Sequence, residues 1–113
     1  MPHCIVEYSI DLERKIEITQ LNHAVFNSAL KSELFEEQDI KVRAIGYAHF
    51  QTGKYRSDFI HVVVKVLNGR TFEQQKNLSA LVLQALDNLG VSSISLTVEI
   101  VEIEADLYAK LVK

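Results

Sequence analysis

Hydrophobic and polar positions follow two different rhythms along this chain, and the same succession of rhythms occurs twice. The run Pro2-His3-Cys4-Ile5-Val6-Glu7-Tyr8 is rich in β-forming residues and reads as a first strand. A polar interval, Asp11 to Lys15, follows. Ile18, Leu21, Val25 and Ala29 then recur at helical spacing, with Phe26 and Leu30 widening the stripe. This helix is expected to stop near Lys31-Ser32. Acidic residues Glu33, Glu36, Glu37 and Asp39 lead into a second strand, Ile40 to Phe50, interrupted by Gly46. Gln51-Thr52-Gly53-Lys54 has the composition of a turn.

The succession restarts at Phe59. Phe59 to Leu67 is nearly continuous β-branched sequence, the pattern of a strand covered on both faces. Asn68-Gly69 ends it. Thr71, with Gln74 three residues on, forms a capping-box pattern for a second helix. That helix carries Leu78, Leu81, Val82, Ala85, Leu86 and Leu89 on one side, and Gly90 stands where a left-handed terminating residue belongs. In the last strand Ile94, Leu96, Val98 and Ile100 alternate with Ser95, Thr97 and Glu99. The alternation slips at Ile100-Val101, which reads as a bulge. Asp106 to Lys113 is expected to close the chain as a helical turn, with Leu107, Leu111 and Val112 turned inward.

Strand–helix–strand twice over defines an α/β (α+β) fold: two βαβ units forming a four-stranded mixed sheet with two helices on one face. Residues 1–113 are read as one domain with halves at about 1–50 and 57–104, a length typical of single domains. A crossover helix implies parallel pairing within each unit. Two helices leave the other face of the sheet bare. The apolar residues on both faces of Phe59–Leu67 then require a cover, most simply other copies of the chain.

Composition narrows the function. The net charge is −3 and the lysines and arginines are scattered, which argues against a nucleic-acid groove. There is one cysteine, Cys4, so no intramolecular disulfide can form and a reducing compartment fits. Neither a secretory signal nor a membrane span is evident, so a cytoplasmic location is expected. The histidines His3, His23, His49 and His61 lack metal-ligand spacing.

Two positions stand out chemically. Met1 precedes a small residue and is expected to be trimmed, leaving Pro2 with a secondary amine. A terminal amine titrates near pH ~7.7–8, and burial beside cations lowers that value toward the range where a general base works best. The plainer role for Pro2 is to begin a strand. Arg70 sits between Gly69 and the Thr71 cap, where unpaired N–H groups and the helix dipole favour an anion. A guanidinium there suits a carboxylate, held by two parallel hydrogen bonds. A surface arginine in a loop is the alternative. Lys41 and Arg43 share one face of the second strand and could complete a cationic pocket, or line a solvated edge.

Taken together, the opening Met-Pro-His-x-Ile-Val-Glu-x-Ser, the two βαβ halves and Gly69-Arg70-Thr71 resemble the tautomerase superfamily, and within it the 5-carboxymethyl-2-hydroxymuconate isomerase family. Phe59-Ile60-His61 with Lys65, and Glu99-Ile100 with Glu102, extend the resemblance over nearly the whole chain, with a short deletion around Gly53. The resemblance implies that Pro2 is the catalytic base. It would move a proton along a 2-hydroxymuconate-type dienol polycarboxylate to give the 2-oxo-3-ene isomer, without cofactor or metal. Arg70 and a strand-two cation would bind carboxylates or polarise the 2-oxo group. In that strand Arg43 matches one family arginine, and Lys41 stands where the family carries another. Phe50 corresponds to an aromatic substrate contact. The resemblance also implies a homotrimer acting on a small carboxylate, with neither nucleic acid nor membrane as partner. Two alternatives are an inactive trimeric binding member, and a hydratase- or decarboxylase-type enzyme needing Glu7 or Glu99 in the pocket.

Overall fold

The computed structural model describes residues 1–113 and joins the two βαβ units along their first strands. The first unit is β1 (His3–Ser9), α1 (Ile18–Lys31) and β2 (Lys41–Tyr47); the second is β3 (Asp58–Leu67), α2 (Phe72–Asp87) and β4 (Ile94–Ile103). The sheet order is β2-β1-β3-β4. β1 runs parallel to β2 and β3 parallel to β4, whereas the central pair β1 and β3 is antiparallel. The start of β1 therefore lies beside the ends of β3 and β4. That corner gathers both extremes of the chain.

Alternation decides which side chains meet the helices. Cys4, Val6 and Tyr8 of β1 and Ile60, Val62, Val64 and Val66 of β3 are buried on the covered face. They pack against Leu21, Val25 and Ala29 of α1 and Leu78, Val82 and Leu86 of α2, all of them buried. Each large aliphatic side chain so buried stabilises the fold by about 1.5–3 kcal/mol. Burial pushes the Cys4 thiol up to about 12, so it is a core group and not a nucleophile. At α2 the capping box is complete: Gln74 N–H donates to Thr71 Oγ1, and Thr71 N–H donates to Gln74 Oε1. Gly90, at φ +75°, supplies the left-handed residue beyond the helix.

Three local expectations are corrected. There is no bulge in β4: pairing with β3 continues unbroken from Asp58↔Ile94 to Leu67↔Ile103. Val101 simply takes its turn on the uncovered face. Glu102, which falls on the helix side, accepts a hydrogen bond from Gln75 of α2. The polar interval after β1 is a 3-10 turn, Ile10–Arg14, which buries Leu12. Finally, the terminal segment makes only a short 3-10 turn, Ala105–Leu107, and Leu107, Leu111 and Val112 are exposed instead of turned inward. The core is already filled by the strands and helices, so those three side chains find no apolar surface within the chain. No helix is long and apolar enough to cross a membrane.

The sheet face opposite the helices carries Ile5, Ile45, Val63 and Val101 among polar groups. Ile45 and Val101 are exposed. Tyr47 donates to Glu7 there, and His61 contacts Thr97 and Glu99.

Candidate active site

Pro2 is buried at the entrance to β1, and its carbonyl accepts a hydrogen bond from Lys41 N–H at 3.1 Å. The residue bonded to its nitrogen, Met1, lines a cavity of about 590 Å³. Pro2 itself does not line the cavity; it adjoins it through Met1. Leu34 and Phe35, from the loop after α1, and Leu67, from the end of β3, form apolar walls. Arg70, Tyr108 and Lys110 supply polar groups, and Glu33, Glu36 and Asp39 lie around them.

Arg70 is held from two sides. Its Nη2 donates to the Leu34 carbonyl at 2.8 Å, and its guanidinium lies 5.5 Å from the Phe35 ring centre. Its Nε is buried without a partner. The helix N-terminus beside it is closed by its own capping box, so the N–H groups expected to share an anion with Arg70 are partly spent. The guanidinium is the group that faces the cavity.

The electrostatics at the chain start follow from this crowding. Burial is the foremost cause that holds the Met1 amine below its ordinary value; Lys110, Lys41 and Arg70 add to the effect, and Asp39 opposes it. Asp39 is itself held low, first by its hydrogen bond from Lys110 at 3.0 Å. Lys41 Nζ donates to the Asp39 carbonyl at 3.3 Å.

Of the residues singled out in the sequence, Pro2, Arg70 and Lys41 come together at this corner. Arg43 lies next to it and does not line the cavity: its Nη1 is 3.0 Å from His3 Nδ1, and with Lys41 it borders a shallow groove along α1. Phe50 is not brought to Pro2 within one chain. It follows the far end of β2, stacked edge-on against Phe59 at 5.5 Å with Arg56 above its ring at 4.1 Å. At ~3.3 Å per strand residue it stands about 20 Å or more from Pro2. Glu7 and Glu99 are engaged on the uncovered face by Tyr47 and His61, away from the cavity.

Sequence reasoning missed Tyr108, Lys110, Leu34 and Phe35. The signal for the first two was topological: β4 must end beside the start of β1, so whatever follows β4 passes Pro2.

This two-helix layer on a β2-β1-β3-β4 sheet, with a proline opening its first central strand, is the fold of the tautomerase superfamily. Solved structures of that fold superpose along nearly the full chain. A 5-carboxymethyl-2-hydroxymuconate delta-isomerase matches with TM-score 0.85 at 18% identity, covering 100% of this chain and 89% of the other. A 5-carboxymethyl-2-hydroxymuconate isomerase from Deinococcus radiodurans R1 gives 0.83 at 20% identity, covering 97% and 88%. A macrophage migration inhibitory factor-like protein from Entamoeba histolytica gives 0.73 at 14% identity, covering 96% and 94%. The 5-carboxymethyl-2-hydroxymuconate isomerase family model matches residues 2–112, and the chain belongs to that family of tautomerase-superfamily isomerases. None of the curated protein sequences matches this chain.

Proposed function

We propose that this protein isomerises a 2-hydroxymuconate-type dienol polycarboxylate to its 2-oxo-3-ene isomer, with Pro2 as general base once Met1 has been removed. The observation that supports the reading is that Met1, bonded to the nitrogen of the buried Pro2, lines a cavity that Arg70 also borders. Loss of Met1 does two things at once. It converts an amide nitrogen, which has no basicity, into a secondary amine, and it clears the space beside it.

In this scheme a free Pro2 amine, one residue on from the Met1 amine that burial and nearby cations lower, comes under the same influences. Burial and the cations Lys110, Lys41 and Arg70 disfavour a protonated proline, which keeps a larger share of it unprotonated near neutrality. The free amine takes the proton of the substrate 2-hydroxyl. The electron pair moves along the diene, C2 becomes a carbonyl and the C3–C4 bond becomes double. The protonated amine then returns the proton to C5. Negative charge on the dienolate builds up in the transition state, where fixed cations stabilise it most. Arg70 is the substrate-binding and charge-stabilising group in this scheme, and Lys41 adds unforked charge. Arg43 contributes through the hydrogen bond it makes to His3.

The apolar residues of the uncovered face support a homotrimer in which three sheets cover one another. A structural relative, a fused 4-OT, is described as a symmetric trimer; it has TM-score 0.73 at 15% identity, covering 92% of this chain and 88% of that one. In such an assembly Phe50 reaches a Pro2 cavity only across a protomer boundary. A cytoplasmic location goes with a chain whose one cysteine, Cys4, is buried and without a disulfide partner.

The test joins mass to turnover. Intact mass of the purified native protein is expected to lack Met1, and dienol absorbance of 2-hydroxymuconate is expected to decay with enzyme. Pro2→Ala should lower kcat by about 10²–10⁴-fold, the range of a lost general base. Retention of Met1 in a fully active protein, or full activity of Pro2→Ala, would remove the proposed base.

A further inference from the structure

We infer that Tyr108 is a substrate-binding residue whose hydroxyl donates a hydrogen bond to a ligand carboxylate in the Pro2 cavity, and that His3 and Arg43 are the positioning residues that aim it. The inference rests on the reading of this cavity as the substrate pocket, and adds to it a donor and a direction.

The argument is one of proton counting along three groups. A guanidinium has only donors, so Arg43 Nη1, 3.0 Å from His3 Nδ1, must be giving its hydrogen to that nitrogen. A ring nitrogen that accepts carries no proton, and a neutral imidazole then bears its hydrogen on Nε2. His3 Nε2 lies 2.8 Å from the Tyr108 hydroxyl oxygen. The oxygen is therefore the acceptor in that pair. Its own hydrogen is left free, and Tyr108 lines the cavity. Burial, foremost, and the charges of Arg43, Lys41, the chain amine and Lys65 all disfavour a second proton on His3, which keeps the ring neutral and the direction of the chain constant.

The lysines at this corner are already engaged, and Arg70 has spent one of its donors. Lys110 is bound to Asp39, Lys41 to the Asp39 carbonyl and Arg70 Nη2 to the Leu34 carbonyl. The Tyr108 hydrogen has no acceptor within the chain. A carboxylate is the ligand class that fits a free donor sharing its cavity with Arg70 and Lys110, because bonds to a charged acceptor are the stronger ones; of the acidic groups Glu33, Glu36 and Asp39 in the same lining, Asp39 is already paired with Lys110.

The experiment uses the protein freed of Met1, as verified by intact mass, and trans,trans-muconate, a conjugated dicarboxylate that lacks the 2-hydroxyl and is not turned over. Binding is read by calorimetry. Tyr108→Phe is expected to weaken it by roughly ten- to a hundredfold, the size of a hydrogen bond to a charged group. His3→Leu should weaken it by a smaller factor, and His3→Gln should recover most of the loss, since its amide can accept from Arg43 and donate to Tyr108. In the Tyr108→Phe background, His3→Leu should do nothing further. Equal affinity of Tyr108→Phe and wild type would overturn the hydroxyl's role, and additive losses in the double variant would overturn the relay. Turnover of 2-hydroxymuconate separates this result from the broader reading. A wild type that binds muconate through Tyr108 without isomerising the dienol keeps the present inference and loses the isomerase. A wild type that binds no muconate overturns the inference.

Discussion

Arg70→Ala gives the sharpest separation of stability from catalysis. The substitution removes the 2.8 Å bond to the Leu34 carbonyl and the cation–π contact with Phe35 at 5.5 Å. A hydrogen bond from a charged donor contributes ~1.5–3 kcal/mol and an exposed cation–π contact ~0.5–1 kcal/mol. Arg70 is only partly buried, so the low end applies, and a loss of about 2 kcal/mol in unfolding free energy is expected. Denaturant titration reads it as a lower midpoint at unchanged slope. For activity, if Arg70 binds a substrate carboxylate and stabilises the dienolate as proposed, its loss should cost about 3 kcal/mol, or roughly a hundredfold or more in kcat/KM by dienol absorbance. Arg70→Lys should recover part of the charge but not the fork, and fall in between. If Arg70→Ala unfolds more easily yet keeps kcat/KM within about threefold of wild type, the arginine is a strut for the Leu34 loop, and its place in catalysis is refuted.

Three further outcomes follow from the fold. Gly46→Ala puts a Cβ 2.6 Å from Ile10 Cδ1 and 2.9 Å from the Tyr8 ring, so overpacking should cost about 1–3 kcal/mol by denaturant titration. Thr71→Ala removes one half of the α2 capping box and should cost ~1 kcal/mol, seen as a lower thermal midpoint with activity retained at assay temperature. Asp58 is held below the usual carboxylate range, first by the hydrogen bond from Lys15 at 2.6 Å and also by the buried Ser9 hydroxyl at 2.8 Å. Its folded value is depressed, so its contribution to stability is complete above the unfolded value of ~3.9 and is lost as pH falls through the lower folded value. Asp58→Asn should therefore lower stability at pH 7 and flatten its decline below about pH 4; an unchanged acid limb would contradict the assignment.

What could be read ahead was whatever is local. The Thr71/Gln74 cap, the Gly90 terminator and the apolar stripes of both helices depend on neighbours within a turn or two, and all appear. Two βαβ units imply a mixed sheet with helices on one side, and the uncovered face follows from that. The misreadings share a different cause. The slip at Ile100-Val101 looked like a bulge because Glu102 falls on the covered side, where Gln75 of α2 receives it. The inward turn of Leu107, Leu111 and Val112 presumed a vacancy in the core that the strands and helices had already filled. Phe50 is not among the misreadings: strand rise sets it at the opposite end of one chain's sheet from Pro2, and its assignment by resemblance concerns an assembly of chains. Tyr108 escaped because its partner His3 lies 105 positions away, and no periodicity encodes such a pairing.

That pairing has a consequence for how the molecule comes into being. The corner holding Pro2 is tied to the chain's last residues, His3 at the start of β1 to Tyr108 and Asp39 just before β2 to Lys110. A chain still missing its final strap lacks these contacts, so the first residues stay loose until the last segment has docked, and removal of that strap should free the start of β1.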